Sequence, residues 1–165
     1  MLVTFTRTGE RRYRVSVEGP EITTSWMEPA PGYDPLLPHD MAHFIAESSV
    51  GISGGVFGQL AAGGHAHTFH PVDPKSKTRS AKRGDRLAAA SRADAELSEN
   101  VVYATMRFWK GEDKEPRAVG KITAEQIRRI AAEYEAASAQ WSKLPVGGEI
   151  TFKWSGGKAL KKGNK

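Results

Sequence analysis

The stretch from Leu37 to Gly64 reads LPHDMAHFIAESSVGISGGVFGQLAAGG, and its first third holds side chains that bind metals or move protons. His39 and His43 stand four residues apart, with Asp40 between them and Glu47 four residues further on. If the segment is helical, a wheel at ~100° per residue puts His39, His43, Glu47 and Asp40 on one stripe about 100° wide. Met41, Phe44, Ile45 and Ser48 fall on the other side. Two imidazoles at i and i+4 point the same way and can bind one ion. A carboxylate as third ligand leaves a fourth position open, as catalytic zinc sites do. His39 and His43 are therefore candidate metal ligands, with Glu47, or His65 and His67 from beyond the second helix, completing the set. Asp40 and Glu47 are the candidate catalytic carboxylates. The competing reading is a solvated helix face, because short His-acid-His patterns recur by chance.

The motif resembles two zinc-binding patterns. HDMAH is similar to the HDxxH element of the zinc-binding ubiquinone-biosynthesis family, and GISGGVFGQLA after it has a similar flavour. That resemblance implies His39, Asp40 and His43 as ligands, followed by a glutamate twelve residues after the second histidine. Here that position is Gly55, and the nearest polar residue is Gln59. A looser likeness links the stretch to HExxH zinc helices, with Asp40 in place of the glutamate base. The chain as a whole also resembles a conserved bacterial family, which implies no particular activity.

Charge supports a cation at this place. From Val15 to Pro74 there is no Lys or Arg, while the segment holds all five histidines and the acids Glu18, Glu21, Glu28, Asp34, Asp40, Glu47 and Asp73. The overall charge is nevertheless +5. The basic residues gather elsewhere, chiefly in Lys75, Lys77, Arg79, Lys82 and Arg83 and in the KALKK tail. This suggests a second function class, a non-enzymatic module that binds nucleic acid or another acidic partner through the basic loop and tail. No aromatic residue is interleaved with the basic loop. The glycine-rich run lacks the Gly-Lys-Ser/Thr element of a phosphate-binding loop. The HAHTFH stretch reads as a polar loop or as the remainder of the metal site.

These residues need elements to hold them. The chain has 165 residues and no cysteine, the size of one domain that needs no disulfide framework. Residues 1–155 are read as a single domain and 156–165 as a basic disordered tail. Alternation at Val3 and Phe5, at Tyr13, Val15 and Val17, and at Ile22, Thr24 and Trp26 predicts three strands separated by Gly and Pro turns. The proline-rich segment 27–38 reads as a loop. Pro38 suits the start of a helix over His39–Val50, and Gly51 its end. A short second helix follows, then a long exposed loop, basic in its second half. Leu97, Val101, Ala104, Thr105 and Phe108 mark a third helix. TAEQ at Thr123–Gln126 is a capping box that opens a fourth, with Ile127, Ile130, Ala131, Tyr134, Ser138 and Trp141 on one face. Ile150, Phe152 and Trp154 alternate as a last strand. The expected fold is α+β, with an antiparallel sheet of three N-terminal strands plus the C-terminal strand packed on about four helices. No apolar run is long enough to span a membrane. The charged N-terminal stretch lacks the apolar core of a secretory signal, so a cytoplasmic protein is expected.

Overall fold

The computed structural model describes residues 1–20, 22–64, 68–73, 82, 85 and 91–154. The elements run β1 (Leu2–Gly9), β2 (Arg12–Glu18), β3 (Ser25–Met27), α1 (His39–Val50), α2 (Val56–Ala61), β4 (His70–Pro71), α3 (Arg92–Trp109), α4 (Ala124–Trp141) and β5 (Glu149–Lys153). The strands form one antiparallel sheet in the order β4-β3-β2-β1-β5. The fold is the expected α+β arrangement, with β5 pairing alongside β1 from Leu2↔Lys153 to Thr6↔Glu149.

Alternation along the strands decides which face is covered. Val3 and Phe5 of β1, Tyr13, Val15 and Val17 of β2 and Met27 of β3 are buried, while Arg12, Arg14 and Trp26 face outward. α1 lies against the buried face. Phe44 meets Phe5, Phe57 and Phe152 at ring separations of 6.3, 5.3 and 5.4 Å. α4 backs α1 with the side chains expected from its period: Ile127, Ile130, Ala131, Tyr134, Ser138 and Trp141 are all buried. Burial of each large apolar side chain of that face stabilises by about 1.5–3 kcal/mol. The capping box is formed, with Gln126 N–H donating to Thr123 Oγ1 and Thr123 N–H donating to Gln126 Oε1. Two polar bonds pin α4 in place. Tyr134 donates to the Ala42 carbonyl of α1 at 3.0 Å, and the Trp141 indole donates to the Asp34 carbonyl at 3.2 Å.

The loop between Met27 and α1 is held from both ends. Asp34 accepts from the Leu36 and Leu37 amides and from Lys110, which closes the chain into the start of α1. α1 ends at Gly51, whose φ of 73° is left-handed and whose N–H donates to the Glu47 carbonyl.

Two sequence expectations change. The stretch after α2 is not loop throughout, because His70 and Pro71 add a two-residue strand to the sheet edge at Trp26 and Ser25. The third alternating set is strand only over Ser25–Met27. The expected tail, 156–165, lies outside the described residues. No helix among the described residues is long and apolar enough to cross a membrane.

Candidate metal site

His39 opens α1 and is exposed, and its backbone N–H donates to the Gly32 carbonyl at 3.1 Å. Gly32 has a φ of +68°, and a Cβ there would stand 2.6 Å from His39 Cβ. A glycine is needed at that point for both reasons. One turn on, the His43 ring lies 4.6 Å from the His39 ring at 64°. His43 is only 4% exposed, because α3 crosses over the polar stripe of α1.

What α3 brings is Ser98 and Glu99. Ser98 Oγ donates to Glu47 Oε1 at 2.8 Å and lies 3.0 Å from His43 Nδ1. Its single proton is committed to Glu47, so Ser98 accepts from His43 and the Nδ1 of that ring carries a hydrogen. Nε2 is thereby left as the atom that can coordinate. This is the orienting role that a hydrogen-bonded partner plays for a metal-binding histidine.

Glu47 is fully buried and is the root of this chain of bonds. Its carboxylate also accepts from the backbone N–H groups of Val56, Phe57 and Gly58 at 3.0, 2.9 and 3.3 Å, which are the free donors at the start of α2. The fit depends on Gly55. A Cβ at that position would sit 2.2 Å from Glu47 Cδ and Oε1. The Glu47 carboxylate thus occupies the space that a side chain at position 55 would take.

His43 Nε2 is buried and has no hydrogen-bond partner among the described residues. A buried polar atom in that state calls for an explanation, and an ion is one. Glu99 Oε2 stands 3.5 Å away. His39, His43 and Glu99 each offer a ligand atom, and the three atoms lie within 4.8 Å of one another, so this group could hold a metal ion. Tetrahedral zinc with ligands at 2.0–2.2 Å spaces its donors roughly 3.4 Å apart. The His43–Glu99 separation already meets that spacing. Burial acts to lower the pKa of His43, but Glu47, Glu99 and Asp40 outweigh it and leave the ring more basic than an ordinary histidine. The same negative field that holds a proton there favours a cation.

Asp40 turns away from this group toward the sheet. The Tyr13 hydroxyl lies within hydrogen-bonding reach of both the Asp40 carboxyl and the Pro31 carbonyl. The phenolic hydrogen is shared between these two acceptors. Burial raises the pKa of Asp40 against the opposing effects of Tyr13, His39 and His43. Tyr13 is likewise raised by burial and by Asp40.

No protein-family model matches the chain, and neither does any curated protein or solved structure.

The sequence-predicted residues therefore divide. The structure brings His39 and His43 together and adds Glu99, which sequence reasoning missed along with Ser98. Glu47 is not a member of the ligand group, because its oxygens are taken by α2 and Ser98. Asp40 is engaged by Tyr13 and is not a free base at the cluster. His65 and His67 lie outside the described residues, as do Lys75, Lys77, Arg79 and Arg83. Lys82 is exposed. The His70 ring lies 5.3 Å from Trp26 at a tilt of 53° on the sheet edge and is not in the ligand group. No sequence signal marks Glu99, since its helix is recognised by its apolar period alone.

Proposed function

We propose that this protein binds one divalent metal ion, zinc, through His39, His43 and Glu99, and that the site serves a metal-dependent hydrolase or lyase reaction on a small molecule. The observation that carries the reading is the buried Nε2 of His43, which has no hydrogen-bond partner among the described residues and lies within 4.8 Å of ligand atoms of His39 and Glu99. The donor set of two imidazoles and a carboxylate suits zinc and leaves a coordination position open. A zinc ion so held supplies a Lewis acid and activates water near neutral pH. The chain's own residues set up the rest. Glu47 and Ser98 fix the tautomer and direction of His43, and Gly32 lets the loop before α1 seat His39. The cleft beside the site is lined by His43, Glu99, Gln59 and Arg92 among others and has a volume of about 280 Å³, room for a small ligand only.

Elemental analysis and calorimetric titration of the purified, chelator-stripped protein test the reading. One equivalent of zinc is expected in the wild type and none in His43→Ala, with Glu99→Gln markedly weakened. A folded wild-type protein that takes up no zinc overturns it. Preference for iron(II) or manganese(II) over zinc overturns the choice of ion.

A further inference from the structure

The two edges of the sheet differ in character. β4 is two residues long and contains Pro71, so that edge offers little to pair with. β5 runs from Glu149 to Lys153 without a proline or a bulge, and it pairs with β1 alone. Beside it, Arg7 N–H donates to the Gly148 carbonyl at 3.0 Å and Trp154 N–H to the Met1 carbonyl at 2.9 Å. Antiparallel bonding alternates, so within β5 the backbone groups of Ile150 and Phe152 serve β1, while those of Glu149, Thr151 and Lys153 point away from it. These three residues are exposed, and their backbone groups make no hydrogen bond among the described residues.

This edge is complementary to itself. Antiparallel pairing of two β5 strands about Thr151 sets Glu149 of each copy opposite Lys153 of the other, and Thr151 opposite Thr151. Those are the positions whose backbone groups point outward, so the ladder is completed at every one of them. The opposed charges lie on the sheet face away from the helices, and neither Glu149 nor Lys153 makes an ion pair among the described residues. On the helix-covered face, Ile150 of one copy stands opposite Phe152 of the other, in the closer kind of cross-strand pair. Both are half-buried in the single chain. Phe152 also lines a groove of about 150 Å³ whose walls include Phe44 and Ile45 of α1 and Ala136 and Ala137 of α4. Apolar side chains of a second copy therefore meet an apolar border. A lysine on an edge usually discourages pairing, but here each lysine meets a glutamate. A register shifted by two residues loses both charge pairs, and parallel pairing in register sets like charges side by side.

We infer that the β5 edge is the docking surface for a second copy of this chain, giving a two-fold symmetric dimer with one sheet continuous through both copies. The contact uses the same edge of each copy and leaves the blunted β4 edges outside, so assembly stops at two. The inference stands on the sheet alone and is independent of the metal site.

Sedimentation equilibrium of the full chain over a concentration series tests it. A dimer that dissociates to monomer on dilution is expected. Thr151→Pro removes an N–H that β1 does not use, together with an exposed hydroxyl contact to Thr4, so β5 keeps its place while the central bonds of the interface are lost. That variant should be monomeric with a folded circular dichroism spectrum. Glu149→Lys turns both charge pairs into repulsions and should raise the dissociation constant about tenfold or more. Glu149→Lys with Lys153→Glu restores opposite charges and should return it close to the wild-type value. A wild type that stays monomeric at its highest soluble concentration overturns the inference, as does assembly beyond the dimer or a dimer that Thr151→Pro leaves intact. A dimer that Glu149→Lys does not weaken, or that the double reversal does not restore, overturns the pairing about Thr151. If Thr151→Pro fails to fold, the two charge variants decide alone.

Discussion

Replacing Gly55 by alanine tests the central packing argument with one methyl group. Gly55 has φ −73° and ψ −177°, a backbone that alanine adopts freely, so relief of unfolded-chain entropy alone stabilises Gly55→Ala by about 0.4–1 kcal/mol. The added carbon, however, would lie 2.2 Å from Glu47 Cδ and Oε1 and 2.7 Å from Oε2. Ordinary contact requires the carboxylate to retreat by more than an ångström, which breaks its bonds to the Val56, Phe57 and Gly58 amides and to Ser98. Separating a buried charge from its partners costs about 3–5 kcal/mol, so the net loss should be about 2–4 kcal/mol. A domain of ordinary stability survives that loss with a measurable unfolding transition. Urea unfolding followed by tryptophan fluorescence reads the difference. The decisive comparison is a double-mutant cycle with Glu47→Ala, which removes the clashing group. In that background Gly55→Ala should be slightly stabilising, giving a coupling of about 3–5 kcal/mol. A neutral Gly55→Ala in the wild type, or equal costs in both backgrounds, would refute the idea that this glycine exists to admit the Glu47 carboxylate.

Other perturbations follow from the same geometry. Ser98→Ala should leave the fold in place but weaken zinc binding about 10- to 100-fold, measured by competition with a chromophoric chelator, because His43 loses its orienting partner. His43 has a raised folded-state pKa, so in the metal-free protein its contribution to stability is full below the unfolded value of about 6.5 and disappears as pH rises through the folded value. The urea midpoint of the metal-free wild type should fall across that window, while His43→Gln lacks the step. For Asp34, burial acts to raise the pKa, but the Leu36 and Leu37 amides and Lys110 outweigh it and hold the carboxyl below the usual range. Its contribution is present above the unfolded value and is lost as pH falls through the folded one. Asp34→Asn should therefore flatten the acid limb of stability against pH, and an unchanged limb would exclude this carboxylate as a contributor.

Strands and helices with a strong period were legible in the sequence because burial of one face dictates it. Val3 and Phe5, Tyr13 to Val17 and the Ile127–Trp141 face all pack where alternation or helical spacing put them. The strand at His70–Pro71 was not legible, since two residues show no period and proline argues against a strand. The polar stripe of α1 was placed correctly, but a wheel does not say what lies across it. α3 does, and it buries His43 and Glu47, which a solvent-facing reading would leave wet. Glu99 was invisible for the same reason, because only the packing of α3 on α1 brings it to His43. Gly55 stood in the sequence as the place where a familiar ligand was missing. In space it is where the Glu47 carboxylate fits, so one residue was noticed for one reason and matters for another.

The chain of bonds from the α2 amides through Glu47 and Ser98 to His43 spans three helices. HDMAH is therefore not a transferable cassette. Moved to another helix, it would carry the two imidazoles and leave behind the hydroxyl and carboxylate that hold one of them in a single tautomer. A fragment that stops before α3 would show the motif in full and lack both Ser98, which orients His43, and Glu99. What distinguishes this stretch from the many chance occurrences of its pattern is written in residues a long way along the chain.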